Sequence, residues 1–511
     1  MKRLLTLAQA QRLDSDAAGS SALSDDARME SAARGVVTAL LANPTLAEAM
    51  RASDVPAAGL CGRGNNGGDA LAVLRMLADR GYHGLVAIAV DASGALAERQ
   101  RAEAAAAGVA IMSPEDPEAA AAVRRAGIII DGIAGIGYRG PWRPGLAALR
   151  DLAALATGPV VAVDIPSGIG PLVSTDIDPE PPVCTGLTLS IEPCKAELYF
   201  PGYRGCAGRI LGVDGVFPRS AERDAGIRLL EGADLEWLLP RLDSDCHKGD
   251  RGALGVYAGA IGSTGAAVLC SKAGAAAGAG SVTLVVRDEL VGIMSGMLVS
   301  QMVRPVSDPG RRRLAAVVAG PGWGIDALTR RLLGELWETD VPLVLDADGL
   351  ALLAERPVAK RRWPLVITPH PGEFVAIAAS ALGLDAGEQS VRNGIMRRAL
   401  FDTAAITSEV AARLGAVVVL KNSVTWIGEP GGTLAVWDGR NPALATAGSG
   451  DVLAGLIGGL LARGCDPFEA AQAGVIVHGQ AARALPGFFE AQDLIAPAAT
   501  VAYRRRPDGD A

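Results

Sequence analysis

Short aliphatic runs that stop at glycine, proline or aspartate recur in two series along the chain, and this punctuation constrains the fold more than any other feature. In the first series the runs are Ala57–Cys61, Leu85–Val90, Gly127–Asp131, Val160–Asp164 and Leu187–Ile191. In the second they are Gly252–Tyr257, Val282–Val286, Ala315–Ala319, Leu343–Leu345, Leu365–Thr368 and Ala416–Leu420. Unbroken apolarity without alternation is what a strand shows when both of its faces are covered. Between the runs lie segments with a period of three to four, such as Leu71–Asp79, Gly94–Ala107, Ala266–Ala277 and Val452–Ala462. Each series therefore predicts an α/β unit, the first a doubly wound parallel sheet with helices on both faces.

A chain of 511 residues is too long for one ordinary core, so two domains are expected. Between Phe217 and Asp245 the pattern loosens and charges gather at Arg219, Glu222, Arg223 and Asp224, then at Glu231, Asp234 and Glu236. The boundary is expected near Arg219–Arg223, with domains over 1–219 and 224–506. The tail Arg504-Arg505-Arg506-Pro507 reads as a frayed, solvated end.

Composition excludes several classes. Half of the residues are hydrophobic and a fifth are charged, which rules out a disordered or fibrous chain. A net charge of −8 argues against general nucleic-acid binding, which needs a positive face to displace counterions. The seven cysteines form no CxxC pair and there are four histidines, so neither a zinc site nor a disulfide framework is expected. The thiols are expected to be buried and reduced. The start Met1–Ala10 has too short an apolar stretch for a signal peptide, and Gly, Ser and Thr interrupt Gly252–Ser271 throughout, so no membrane segment is expected. A cytoplasmic enzyme is the expectation.

One glycine-rich loop follows the first strand and opens a helix: Cys61-Gly62-Arg63-Gly64-Asn65-Asn66-Gly67-Gly68-Asp69. Glycine permits close backbone approach, and the helix N-terminus offers unpaired N–H groups to an anion. A glycine turn alone is generic; two adjacent asparagines before Gly-Gly-Asp are much less so. Asp131 and Asp164 each end an apolar run, Asp164 within Val163-Asp164-Ile165-Pro166-Ser167-Gly168. In a doubly wound sheet those ends line one crevice, together with the flexible loop Gly135-Ile136-Gly137-Tyr138-Arg139-Gly140-Pro141. Each lone aspartate could equally cap a helix or a turn. Their convergence favours a site whose oxygens suit a hard, undemanding cation such as potassium.

A second loop, Ala445-Thr446-Ala447-Gly448-Ser449-Gly450-Asp451, runs directly into the apolar helical stretch Val452–Ala462. Gly448 and Gly450 allow an anion-binding nest reinforced by the helix dipole. An aspartate there would repel phosphate if idle. It is better employed accepting a proton from a hydroxyl that attacks a terminal phosphoryl group.

The motifs Arg28-Met29-Glu30-Ser31-Ala32, GNNGGD, the Asp131 loop and VDIPSG together resemble the N-terminal domain of the bifunctional NAD(P)H-hydrate repair enzymes. That domain is an epimerase of hydrated NADH and NADPH (NADHX and NADPHX) with a Rossmann-like fold. The resemblance implies that Asn65, Asn66, Gly67, Gly68, Asp69, the loop Gly135, Ile136, Gly137, Tyr138, Arg139, Gly140 and Pro141, and Asp164 contact the substrate. It implies potassium on Asn66, Asp131 and Ser167. Asp164 is the expected acid–base group, since it ends a buried strand where desolvation could raise its pKa.

Downstream, Cys246-His247-Lys248-Gly249-Asp250, Gly320-Pro321-Gly322-Trp323-Gly324, Leu345-Asp346-Ala347-Asp348-Gly349, Thr368-Pro369-His370-Pro371-Gly372-Glu373, Val419-Leu420-Lys421 and the GxGD turn follow in order. This series resembles the ribokinase-like, nucleotide-dependent NAD(P)H-hydrate dehydratase domain. The resemblance implies that Ala266, Gly322, His370 and Asp451 contact the hydrate, and that Lys421, Asn422, Ser423, Val424, Thr425 and Gly450 hold ADP or ATP with magnesium. Asp451 is the expected base for phosphorylating the ring hydroxyl of the S hydrate, after which phosphate leaves and NAD(P)H is restored. The chain departs from the pattern at Ser31, Ala70, Asn422, Ala447 and Ala258-Gly259-Ala260. The rival reading is a ribokinase-like kinase of a vitamin or sugar carrying a non-catalytic N-terminal binding module. A homo-oligomer is expected.

Overall fold

The computed structural model describes residues 2–20, 24–217, 226–243, 245–310 and 313–503. The chain forms two compact units, one built mainly from Arg3–Ile227 and the other mainly from Arg228 onward. The boundary expected at Arg219–Arg223 and the arginine tail at 504–506 lie outside the described residues.

In the first unit the parallel strands are β1 (Val55–Cys61), β2 (Val86–Ala89), β3 (Ala110–Met112), β4 (Ala126–Gly132), β5 (Val160–Val163), β6 (Leu187–Ile191) and β7 (Arg209–Val213). Their order is β3-β2-β1-β4-β5-β6-β7, so the sheet reverses its winding between β1 and β4. Aliphatic clusters cover both faces, as the uninterrupted apolar runs require. The register pairs Cys61 with Gly132, and Asp131 with Ala162. The loops after β1, β4 and β5 therefore leave the sheet along one rim, where doubly wound folds bind ligands.

The second unit is carried by an eleven-stranded sheet. Its parallel strands are β8 (Ala253–Tyr257), β9 (Ser281–Val286), β10 (Met302–Pro305), β11 (Ala316–Ala319), β12 (Leu343–Leu345), β13 (Leu365–Ile367) and β14 (Val417–Leu420). They run β10-β9-β8-β11-β12-β13-β14, the same winding as the first unit. Beyond β14 the sheet turns antiparallel through β15 (Thr425–Gly428) and β16 (Leu434–Trp437). The direction changes because only a short loop separates β14 from β15 and a parallel return needs a long crossover. The short strands Lys2–Leu4 and Ile227–Leu229 complete the eleven.

One expectation, that of reduced thiols throughout, is corrected. Cys184 and Cys206 are joined in a disulfide. They lie 22 residues apart in the leads into the paired strands β6 and β7, whose register brings them together. Cys61, Cys194 and Cys270 are free and buried, while Cys246 and Cys465 are partly exposed. No helix among the described residues is long and apolar enough to cross a membrane.

Candidate functional site

The glycine loop after β1 turns into the helix Asn65–Ala78. A Cβ on Gly67 would stand 2.0 Å from the Gly62 carbonyl oxygen, so the helix can start against the strand end only with glycine there. Ala70 sits fully buried in the helix against Gly132, where helical geometry accommodates its Cβ. Ser31 donates from its hydroxyl to the Gly215 carbonyl at 3.0 Å.

A cavity of about 1030 Å³ opens at this rim. Asn65, Asn66, Asp69, the run Gly135–Arg139 and Asp164 line it. Gly67, Gly68, Gly140 and Pro141 do not: Gly68 backs onto Met29, and Pro141 is exposed. Asp131 and Ser167 lie behind the wall, both fully buried. The Asp131 carboxylate accepts from the Ser167 amide at 2.8 Å and from the Ser167 hydroxyl, which also takes the Ala134 amide at 2.8 Å. Burial pushes the Asp131 carboxyl up to about 6. No cationic side chain pairs with it among the described residues, and the buried Asn66 amide nitrogen nearby lacks a hydrogen-bond partner.

Asp164 follows β5 with φ of +67°, a left-handed conformation that a non-glycine residue adopts only when its surroundings enforce it. Its Oδ1 accepts from the Ile191 amide at 2.9 Å and pairs with the Lys195 ammonium. The carboxyl expected to serve as the acid–base group is thus ion-paired. Two cavity carboxyls are held above their usual range: Asp69, through burial first and then the charges of Asp164 and Asp14, and Asp14, through burial first. Sequence reasoning gave Lys195 and Asp14 no task. Both line the cavity. A lysine just past a strand end was the available signal for the first.

In the second unit the register aligns Tyr257 with Ala319, Ala319 with Leu345, and Leu345 with Ile367. The next residues, Ala258, Gly320, Asp346 and Thr368, therefore form one rim. Asp346 is buried, accepts from the Thr368 hydroxyl at 2.8 Å and receives the Lys421 ammonium at 2.7 Å. It too lacked an assigned role in the sequence. Ala347 beside it carries φ of +48° and, with Asp164, is one of two non-glycine residues with positive φ among the described residues. Gly322 abuts Ser263 and Ala266, and Gly259 donates its amide to the Pro321 carbonyl, so the loops after β8 and β11 meet where the winding reverses.

Gly448 has φ of +89° and caps the helix Ser449–Ala462, with Asp451 in its first turn. Gly450 lies against the Lys421 ammonium. Burial raises the Asp451 carboxyl to about 7, helped by the Asp346 charge and opposed by Lys421. Ala447 is exposed. Lys421–Val424 forms the turn between β14 and β15, with Thr425 the first residue of β15; the Val424 side chain is fully buried, and Asn422 Oδ1 accepts the Ser423 amide at 2.7 Å. His370 is exposed and caps the helix Pro371–Leu382, its Nδ1 accepting the Gly372 amide at 3.0 Å. Its Nε2 lies 3.6 Å from Glu373 Oε1. No three His, Cys, Asp or Glu side chains among the described residues are grouped so as to hold a metal ion.

Two doubly wound units, each with carboxylates and a lysine at its strand ends, define an α/β enzyme that handles nucleotides. Residues 254–497 match the NAD(P)H-hydrate dehydratase family and residues 25–193 the family of YjeF-related protein N-termini. The bifunctional NAD(P)H-hydrate repair enzyme Nnr of Coxiella burnetii is 34% identical over 437 residues, 83% of this chain and 84% of that protein. The enzyme of the same name from Escherichia coli is 32% identical, over 86% and 82% of the two chains. The chain belongs to the family of bifunctional NAD(P)H-hydrate repair enzymes. It is an NAD(P)H-hydrate epimerase and dehydratase in one polypeptide. A crystal structure of the ADP/ATP-dependent NAD(P)H-hydrate dehydratase from Bacillus subtilis, co-crystallized with ATP/Mg2+, is 26% identical and aligns with a TM-score of 0.46, over 54% of this chain and 97% of that one.

Proposed function

We propose that the epimerase cavity interconverts the R and S hydrates of NADH and NADPH, and that the Asp451 site dehydrates the S form at the expense of ADP or ATP. The epimerase domain is taken as residues 1–219 and the dehydratase domain as 224–506, a division that the two compact units support. The observation that carries the dehydratase reading is Asp451 itself: a carboxyl raised to about 7, at a helix N-terminus, beside a strand-end lysine. A base with its pKa near the working pH is efficient.

Asp451 takes the proton of the ring hydroxyl as that oxygen attacks the terminal phosphorus of the nucleotide. Lys421 and the nest amides hold the phosphates, with the Lys421–Thr425 segment and Gly450 around the nucleotide. Ala266, Gly322 and His370 contact the hydrate. The ring nitrogen lone pair then expels phosphate, and loss of a ring proton restores the dihydronicotinamide. Magnesium, when bound with the nucleotide, would supply positive charge against the phosphates.

On the epimerase side Asn65, Asp69, the Gly135–Arg139 loop and Asp164 face the substrate. Asp164 supplies the acid–base function. Asn66, Asp131 and Ser167 would hold potassium. The buried carboxylate of Asp131 without a cationic partner fits such an ion, which would supply the missing charge. We further read the protein as a cytoplasmic homo-oligomer.

Incubating the protein with mixed hydrate epimers and ADP or ATP tests the whole reading. Regained NADH absorbance, matched by free phosphate and consuming both epimers, is expected. A stable phosphate ester with no recovered cofactor would instead mark a small-molecule kinase.

A further inference from the structure

Asp164 uses only half of its carboxylate on the protein. Both recorded contacts, the Ile191 amide and the Lys195 ammonium, reach Oδ1, and Oδ2 has no partner among the described residues. Lys195 is 4% exposed and Asp164 8%, yet both border the cavity. The ammonium is itself fixed from two sides. It donates to the Ile191 carbonyl at 2.7 Å, and its backbone is clamped by the Leu5 amide on Cys194 O at 3.0 Å and the Ala196 amide on Leu5 O at 2.8 Å. Nothing in the relatives' names or in the motifs assigns this lysine a role.

A buried carboxylate without a cation takes up a proton or rotates toward whatever donor it finds. Lys195 removes both options. We propose that Lys195 is a positioning residue of the epimerase, holding Asp164 Oδ1 so that Oδ2 is presented, fixed in direction, to the ring hydroxyl of the hydrate. This rests on the reading of the cavity as the epimerase site. The strained backbone of Asp164 fits it, because a side chain held at a single oxygen over an enforced φ has one direction left.

The test is a cycle on the full chain using Lys195→Met, Asp164→Asn and the double variant, each assayed for epimerisation of the purified R hydrate. Lys195→Met is expected to lower kcat about 100-fold, in the range of a lost acid–base group, with KM changed by less than about threefold. In the Asp164→Asn background the same change is expected to cost less than about twofold, because the lysine acts through the aspartate. Ethylammonium added to Lys195→Ala is expected to restore part of kcat, which a purely structural lysine would not show. Dehydration of purified S hydrate by each variant reports the amount of folded second unit. Should Lys195→Met fail to fold, the comparison of Asp164→Asn with the charge-neutral double variant decides alone. A kcat for Lys195→Met within threefold of the parent, or a further tenfold loss in the Asp164→Asn background, overturns the proposal. A parent protein that does not epimerise at all overturns the assignment of the cavity instead.

Discussion

Lys421 Nζ lies 2.7 Å from Asp346 Oδ1, so the cation that is to meet the nucleotide phosphates is already held by a buried carboxylate. The pair also sets the base. Asp346 raises the Asp451 carboxyl and Lys421 lowers it, on top of the burial that dominates.

The first prediction follows from that balance. Asp451 works as a base only when ionised, so the rate of dehydration should rise with pH along a limb centred at about 7. Asp346→Asn removes the charge that raises Asp451 and should move the limb to lower pH. Lys421→Met should move it higher and also weaken nucleotide binding. Asp451→Ala should cost at least about 100-fold in kcat at pH 8. The pH profile of kcat under saturating nucleotide checks all three, and a limb that ignores Asp346→Asn would sink the assignment.

The strand cores were legible because burial on both faces leaves an unbroken apolar run: Leu187–Ile191 and Leu343–Leu345 occupy the expected residues. The edge strands Ala110–Met112 and Arg209–Val213 were not, since partial exposure breaks that run. The antiparallel return through Thr425–Gly428 was missed for a different reason, its direction being set by the short turn rather than by the strand. Glycine loops announced both sites. What the sequence concealed were partnerships made by register across the sheet: Asp164 with Lys195, Asp346 with Lys421, and Cys184 with Cys206. No local pattern marks a contact between residues 22, 31 or 75 positions apart.

Potassium gives the second prediction. A fully buried Asp131 without a cationic partner is a penalty that a bound monovalent ion would relieve. Potassium in place of a bulky organic cation at constant ionic strength should therefore raise the melting temperature of the first unit by a few degrees. Asp131→Asn should abolish the difference, because the carboxylate that needs the ion is gone. Differential scanning calorimetry on the full chain, with the two unit transitions resolved, reads both effects. Equal melting temperatures in the two salts would remove potassium from Asn66, Asp131 and Ser167.

Gly67 is the third. An added Cβ would meet the Gly62 carbonyl oxygen at 2.0 Å, a backbone atom that cannot swing aside. Gly67→Ala should destabilise the first unit by about 1–3 kcal/mol as an overpacked site and abolish epimerisation. Dehydration of purified S hydrate should persist, since the second unit has its own core. Loss of both activities together would mean that the units do not fold independently.

Arg361 supplies the last, far from either cavity rim in the sequence motifs. Its guanidinium is buried and donates to the carbonyls of Trp337 at 2.9 Å, Val341 at 2.8 Å, Pro364 at 3.0 Å, Leu336 at 3.1 Å and Thr339 at 2.7 Å, and to the Thr339 hydroxyl at 2.9 Å. No carboxylate pairs with it among the described residues, and burial lowers its pKa to about 10, leaving it charged at neutral pH. The five fixed donors of a guanidinium therefore tie the end of the helix Ala327–Trp337 to the starts of β12 and β13. Arg361→Met would leave those carbonyls buried without donors, at a cost of about 3–5 kcal/mol. Arg361→Lys should recover only part of this, because three donors on a point charge cannot reach five carbonyls. Urea unfolding of the second unit should rank the three proteins in that order, with the m-value unchanged. A methionine variant as stable as the parent would show that the arginine's desolvation cancels its bonds.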